Sequence, residues 1–489
     1  MTFYGLTFAA TLLGAGLLDA LVRPGTGACS EGRGLRSGAG LWLLACITAA
    51  LYGGFLAICG NAVVAMLLTA TVQAFLVFAS NAKCAMLGEP LLFSDLALIR
   101  AVFRHPQFYL SAVAVWQRVG AVIVTAVLLG LIAWFSVAKV ESHVGGLVLM
   151  GAGLGALALS LRLSPWRSLA RDPSAHADTC RLGLLPTLLL YWLRWRAQCD
   201  PAPCPQTIPQ SAANPPEIIV VIQCESFGDP VEMFGDPALA LPGLVSARES
   251  ALQWGNLNVS GFGAYTMRTE YGVLFGRGED VLEFRRYDPF LTATRDSSYA
   301  LPARLAAQGD GYRSLFVHPH DMRFYGRERI MPAAGFAELV GEDRFAPPGP
   351  GEGRYVTDAA MADEIIALAQ MASQPTLLYA VTIENHGPWE TAYGIDRING
   401  YMRLARKSDA MLCSLTERLG ALGRSVLLVF FGDHRPSIPG AIAPGGDRHT
   451  PYVMVRIDTD GRAIPGDNRR VDLTPAGLHH AILAEVLGS

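Results

Sequence analysis

The sequence predicts a two-part chain: an α-helical membrane domain of about five transmembrane helices, followed by an α/β domain on a largely parallel central sheet. Three observations carry that expectation. Hydrophobic residues make up 51% of the 489 and charged ones only 17%, an apolar balance unusual for a water-soluble protein. The apolar excess is concentrated in the first 200 residues. After Pro215 the pattern changes to short β-branched runs alternating with helical stretches, and most of the potential metal ligands lie there. The net charge of −3 carries no basic footprint for nucleic acid, so that partner is set aside.

Five stretches approach the roughly 20 residues a spanning helix needs: 3–22, 41–60, 62–80, 118–137 and 145–162. The first has no basic start and further spans follow it, which separates it from a cleavable signal peptide. Only Gly60 and Asn61 divide the second from the third, which predicts a tight helical hairpin. Between the third and fourth lies Gly-Glu-Pro-Leu-Leu-Phe-Ser-Asp-Leu (88–96), then a mixed apolar and basic stretch to Trp116 that suits interfacial helices. Leu182–Trp195 is too short to span, and Trp192, Arg194 and Trp195 give it an interfacial character as well.

Charge leaves the orientation open. Arg23, Arg33 and Arg36 in the first loop would, by the positive-inside rule, put that loop and the large domain in the cytoplasm, whereas Lys139 in the fourth connection favours the reverse. The nine cysteines form no disulfide scaffold at this length. In Cys199-Asp-Pro-Ala-Pro-Cys204 a short disulfide loop is sterically possible, and two unrelated linker thiols are the other reading. Residues 199–217 hold six prolines among small and polar residues and mark a boundary. The expected organisation is thus 1–165 transmembrane, 166–217 interfacial helix and linker, and 218–489 catalytic domain.

In that last part, Ile218–Ile222 has the composition of a buried parallel strand, and Ser314–Val317, Thr376–Ile383 and Ser425–Phe431 resemble it. Helical patterns at 357–372 and 402–420 lie between them. Each strand runs into chemistry-bearing residues: Gln-Cys-Glu225, then His318-Pro-His320-Asp321, then Glu384-Asn-His386, then Gly-Asp433-His434-Arg435. Parallel α/β sheets place their ligand sites at the carboxyl ends of strands, so four such tips describe one convergent site.

Ser260-Gly-Phe-Gly-Ala-Tyr-Thr266-Met-Arg-Thr-Glu270-Tyr-Gly is glycine-rich and then turns helical. A hydroxyl at that helix start would sit where free N–H groups favour a phosphate, and a divalent cation beside it would make it nucleophilic. An N-cap threonine without chemistry is the alternative.

Together these residues resemble the lipoteichoic acid synthase-like phosphoglycerol transferases of the alkaline phosphatase and sulfatase superfamily. Glu-Ser-Phe after the first strand, Thr-x-x-x-Glu-aromatic, Asn-His-Gly, Gly-Asp-His and the run from His318 to Phe324-Tyr325-Gly-Arg327 occur in the family's order, and the likeness extends to the five-span anchor. The resemblance implies an alkaline phosphatase/sulfatase-type catalytic domain with Glu225, Thr266, Asp433 and His434 as metal ligands and Thr266 as nucleophile. It also implies His318 and His386 for proton transfer, Arg327 and Tyr325 for the phosphate or headgroup, and His449 on the substrate side. Three oxygen ligands and one imidazole suit Mn²⁺ first, with Mg²⁺ or Zn²⁺ as alternatives.

The implied reaction moves phosphoglycerol from a phospholipid, phosphatidylglycerol, to a periplasmic or cell-surface glycan through a phosphothreonine-type intermediate. Diacylglycerol is released, and the enzyme sits in the bacterial inner membrane with its catalytic domain extracytoplasmic. A phosphoethanolamine transferase and a membrane-anchored phosphodiesterase are the rival expectations. Two departures stand out: Met267, Arg268 and Thr269 replace the small and acidic residues typical of the family beside the nucleophile, and the chain is shorter. A sulfatase would need Cys or Ser followed by x-Pro-x-Arg, which does not occur at Thr266.

Overall fold

The computed structural model describes residues 3–23, 36–96, 139–199, 202–204, 214–293, 297–307, 311–349, 353–389, 396–438 and 440–488, with scattered positions between 119 and 137. The chain divides into two compact units, Met1–Gln198 and Cys199–Ser489.

The first unit is helical: α1 (Phe3–Ala20), α2 (Gly38–Cys59), α3 (Ala62–Leu87), α4 (Val140–Ser160), α5 (Ala175–Leu182) and α6 (Leu184–Ala197). Among the described residues, α1 to α4 are the four helices long and apolar enough to cross a membrane. The expected span 118–137 and the interfacial stretch 97–116 fall largely outside the described residues. The hairpin between α2 and α3 forms as expected, with Gly60 in a left-handed cap and the Asn61 side chain accepting from Val63 N and Val64 N. Helices α2 and α4 pack with their backbones in contact: a Cβ at Gly53 would lie 2.4 Å from Met150 N, so only glycine permits the approach.

The stretch expected to be interfacial, Leu182–Trp195, holds the short helix α6, which buries Leu184, Leu185 and Leu188 in a cluster with Val22, Leu44, Val77 and Leu91. Its start is pinned by Asp19, whose Oδ1 accepts from Leu184 N at 2.8 Å while Oδ2 accepts from Arg36 Nε at 2.7 Å. Arg36 also donates to the Cys180 carbonyl at 2.6 Å. Cys180 is disulfide-bonded. Cys199 and Cys204, the pair considered from sequence, are free thiols.

The second unit is built on one sheet of strands β1 (Ile218–Cys224), β2 (Gln253–Leu257), β3 (Arg313–Val317), β4 (Glu338–Val340), β5 (Thr376–Val381), β6 (Val426–Gly432), β7 (Thr450–Ile457) and β8 (Arg469–Arg470). Their order is β4-β3-β5-β1-β6-β7-β2-β8. The half from β4 to β6 is parallel, and β7 runs antiparallel to both β6 and β2. The expected largely parallel α/β sheet is therefore the observed one, with a mixed edge added.

Strand β1 lies at the centre between β5 and β6, with all seven residues buried, which is why it reads as a continuous apolar run. Helices α7 (Thr266–Phe275), α8 (Arg327–Ala333), α9 (Asp358–Met371), α10 (Arg397–Gly420) and α11 (Pro475–Leu487) connect and cover it. In α10 the buried Tyr401, Leu404, Ala405, Ser408, Leu412, Leu415 and Leu419 recur at three- and four-residue intervals, one face of a helix turned to the sheet. Each fully buried Leu or Ile on such a face contributes about 1.5–3 kcal/mol. Because β1, β3, β5 and β6 run parallel, their carboxyl ends open on one edge.

Candidate metal centre and phosphoryl site

Strand β1 runs into Glu225 and β6 into Asp433-His434, so the neighbouring strand tips bring these residues together. One ligand atom from each of Glu225, Asp433 and His434 lies within 4.8 Å of the others, and all three residues are buried. His434 Nε2 is 3.5 Å from Asp433 Oδ2 and 3.6 Å from Glu225 Oε1. These spacings exceed a hydrogen bond but suit neighbouring ligands of one ion at bond lengths of roughly 2.0–2.2 Å.

The local hydrogen bonds orient each ligand. Asp433 Oδ1 accepts from Ser226 N and His434 N, both at 2.8 Å, whereas Oδ2 is buried with no hydrogen-bond partner among the described residues. His434 Nδ1 lies 3.2 Å from the Arg435 carbonyl, which favours the tautomer with its proton there and the Nε2 lone pair aimed at the carboxylates. Glu225 N donates to Thr382 Oγ1 at 3.0 Å, and Glu225 Oε1 accepts from Ser226 Oγ at 2.8 Å.

Burial, followed by the facing Glu225 carboxylate, pushes the Asp433 carboxyl up to about 7. Two carboxylates held together without a neutralising charge are costly, and a dication would remove that cost. An orphaned buried carboxylate oxygen, a second carboxylate and an imidazole nitrogen turned inward are a donor set that fits a divalent ion.

Thr266 opens α7 and is buried, with its side chain beside the Asp433 carboxylate. The preceding Tyr265 adopts a left-handed φ of 76°, a strained conformation for a bulky residue, which turns the glycine-rich loop abruptly into the helix. Thr269, one turn on, donates to the Asp433 carbonyl at 2.7 Å and locks α7 to the end of β6. Thr266 thus stands at a helix N-terminus and beside one of the three prospective ligands, Asp433.

The remaining expected site residues divide into two groups. His318 and Arg327 are buried within a single network. Arg327 donates from Nε and Nη2 to both carboxylate oxygens of Glu270, at 3.0 and 2.5 Å, and its Nη1 lies 3.0 Å from His318 Nε2. His318 Nδ1 faces the Val381 carbonyl at 2.9 Å. Burial and the Arg327 charge hold His318 well below its ordinary range, so it is neutral, with Nδ1 donating and Nε2 accepting. Gln223 continues the network by donating to Glu270 at 3.2 Å and accepting from Tyr379 at 2.8 Å. The planar fork of Arg327 is therefore engaged by Glu270, and both His318 nitrogens are occupied.

The second group is open. His386 is exposed, with Nδ1 2.8 Å from the Gly387 carbonyl and its ring 5.6 Å from that of Tyr355. Tyr355 lies 6.1 Å from His320, and Phe324 stacks 4.3 Å from Tyr325, whose ring is 5.2 Å from the Arg327 guanidinium. His449 stands apart from the metal cluster, on the loop before β7, where Nε2 is 2.8 Å from both Glu232 and Arg435.

Two residues that position the site carry no role in the sequence reading. Ser226, in a left-handed φ of 50°, folds the β1 tip back so that its N–H meets Asp433. Glu270 neutralises Arg327 from 57 residues away. Both sit inside the quoted Glu-Ser-Phe and Thr-x-x-x-Glu motifs, which was the available signal.

A protein-family model described as Sulfatase matches residues 217–482. A capsular polysaccharide biosynthesis protein of Rhizobium meliloti is 28% identical over 474 residues, covering 89% of this chain and 85% of that protein. A putative cyclic beta-1,2-glucan modification protein of the same organism is 27% identical over 240 residues, 45% of this chain and 36% of the other. Among solved structures, an integral membrane lipooligosaccharide phosphoethanolamine transferase from Neisseria meningitidis superposes with a TM-score of 0.54 at 14% identity, covering 92% of this chain and 96% of that one.

Proposed function

The chain belongs to the sulfatase family, an enzyme family of the alkaline phosphatase superfamily, and from that premise we propose that it is a membrane-anchored, metal-dependent phosphotransferase. Its reaction is the transfer of phosphoglycerol from phosphatidylglycerol to a cell-envelope glycan. The observation that carries this reading is the buried Glu225–Asp433–His434 cluster at the β1 and β6 tips, with Thr266 beside Asp433 at the start of α7.

Glu225, Asp433, His434 and Thr266 would hold one divalent ion, Mn²⁺ first given the oxygen-rich set, with Mg²⁺ and Zn²⁺ as alternatives. When bound, the ion lowers the pKa of the threonine hydroxyl and offsets charge on the phosphoryl oxygens. Thr266 Oγ releases its proton to solvent and attacks phosphorus. The bond to the diacylglycerol oxygen breaks, and that oxygen takes a proton from His386, the exposed histidine of the pair. An acceptor hydroxyl, its proton taken by the now neutral His386, then attacks the same phosphorus; the bond to Thr266 breaks, and the threonine oxygen takes a proton back from solvent.

In this scheme His318 and Arg327 are positioning residues. The neutral His318 and the Glu270-bound guanidinium brace α7 and α8 against β1, β3 and β5, leaving the Arg327–Tyr325 face toward the headgroup. The four apolar helices would keep the donor's acyl chains in the bilayer throughout. The disulfide at Cys180 fits an oxidising compartment and so supports an extracytoplasmic catalytic domain. The glycan acceptor is supported by the polysaccharide and glucan roles in the names of the two curated relatives.

The likeness to a phosphoethanolamine transferase across 92% of the chain favours a second reading, with phosphatidylethanolamine as donor. Phosphatidylglycerol and phosphatidylethanolamine, each labelled in the headgroup and offered side by side to the full-length protein with Mn²⁺, separate the two. The proposed reaction releases diacylglycerol with headgroup transfer from phosphatidylglycerol. Transfer from phosphatidylethanolamine alone overturns the donor assignment, and no transfer from either overturns the reaction.

A further inference from the structure

Outside the metal cluster, the second unit holds a cavity of about 520 Å³ between α7, the loop around Asp280, the Asp447–His449 loop and the start of α11. None of Glu225, Thr266, Asp433 and His434 lines it. We propose that this cavity seats the acceptor, an oligosaccharide segment presenting one hydroxyl toward Thr266. The inference rests on the phosphotransferase reading and assigns its glycan acceptor a place on the second unit.

The volume lies within the range of small-ligand sites. The lining has the chemistry that a polyol requires: planar amide, carboxylate and guanidinium groups at Asn258, Asp280, Asp447 and Arg448, set beside flat apolar patches at Pro289 and Pro475. Carboxylates accept from sugar hydroxyls while guanidinium N–H groups donate to them, so a mixed wall suits a hydroxyl-rich ligand better than a bare anion. Ser260 supplies a further sign: its Oγ is buried without a hydrogen-bond partner among the described residues. Its carbonyl meanwhile accepts from Arg448 Nη1 at 2.6 Å, fixing two lining groups together.

The cavity is tied to the reacting centre at both ends. Thr269 lines it and donates to the Asp433 carbonyl, one helical turn from Thr266, and residues three apart on a helix lie roughly 5–6 Å apart. His449 lines it as well and contacts Arg435, the neighbour of His434. Arg268, an unexpected residue beside the nucleophile, joins the same wall: it stacks 3.9 Å over Tyr265 and donates to the Tyr287 carbonyl at 3.1 Å.

Two variants test the proposal. Ala476→Trp fills the cavity from α11, and the double variant Asn258→Ala/Asp280→Ala removes polar groups without adding bulk. Each is expressed in cells in place of the native chain, and phosphorus NMR of the cell-envelope glycan fraction reads transfer to the natural acceptor pool. In parallel, mass spectrometry of the purified full-length protein, incubated with phosphatidylglycerol and Mn²⁺, reads the lipid-derived group on the Thr266 peptide. The expected result is glycan phosphorus reduced about tenfold or more, with Thr266 occupancy equal to or above that of the native chain. Glycan phosphorus within about twofold of native in a folded variant, or occupancy falling in step with it, overturns the acceptor site. An unmodified Thr266 in the native chain itself marks failure of the phosphotransferase reading instead.

Discussion

His434 Nε2 lies 3.5 Å from Asp433 Oδ2, beyond a hydrogen bond yet within the separation that two ligands of one ion adopt. The residues come from consecutive positions at one strand tip, and their side chains turn to the same point because Ser226 N and His434 N both bind the other Asp433 oxygen. Asp433→Asn keeps that backbone contact through its amide oxygen but replaces a ligand oxygen with an amide NH2, which donates hydrogen bonds and does not ligate. Titration calorimetry with Mn²⁺ should show affinity reduced more than about 100-fold, beyond what loss of an outer-shell partner costs.

The Glu270–Arg327 pair is fully buried. Glu270→Ala leaves the guanidinium unpaired in the core and should destabilise the second unit by about 3–5 kcal/mol. The double variant Glu270→Leu/Arg327→Met should recover much of that loss in thermal unfolding, since apolar replacements of a buried pair are often tolerated. It should not recover turnover if the pair positions Tyr325 and α8.

Gly432 closes β6 immediately before Asp433. A Cβ there would lie 1.8 Å from the Phe227 carbonyl, and backbone on that side cannot yield as a flexible side chain would. Gly432→Ala should therefore displace the β1 and β6 tips from one another. Thermal unfolding is expected to show a loss of about 1–3 kcal/mol, accompanied by weaker Mn²⁺ binding.

His479 packs inside α11, with Nδ1 2.8 Å from the Val273 carbonyl and Nε2 buried without a partner among the described residues. Burial lowers it from 6.5 to about 3. Between those values the unfolded chain binds a proton that the folded chain does not, so this residue's contribution to stability falls as the pH drops below about 6.5. Replacing it with Asn, which retains a donor for Val273, should flatten the fall in melting temperature between about pH 6.5 and 4. An unchanged slope would show that acid sensitivity arises elsewhere.

The parallel half of the sheet was legible because β1, β5 and β6 are buried throughout and, with the Leu315–Val317 end of β3, appear as short apolar runs. The mixed edge was not. Strand β2 is Gln-Trp-Gly-Asn-Leu, alternating between buried and partly buried, and β7 opens on Thr450-Pro451. β2 is short and half polar, β7 is interrupted by Pro451 and Arg456, and pairing across long sequence separations orders them.

The site shows the same division. Glu225, Asp433 and His434 each follow a strand, so topology alone brings them together. The fork of Arg327 is a different matter, because a guanidinium in that motif gives no sign that Glu270, rather than a phosphate, will meet it. The orientation signal was weakened for a related reason: Arg36 binds Asp19 and the Cys180 carbonyl, so one of the three arginines in the first loop is tied up locally.

The most direct test of the central claim is the mass of the Thr266 peptide after the full-length protein meets phosphatidylglycerol and Mn²⁺ without acceptor. An increment equal to one phosphoglycerol group, absent in Thr266→Ala together with turnover, is the result expected. Turnover that continues in Thr266→Ala, or a lipid-derived group carried by a different residue, would contradict it.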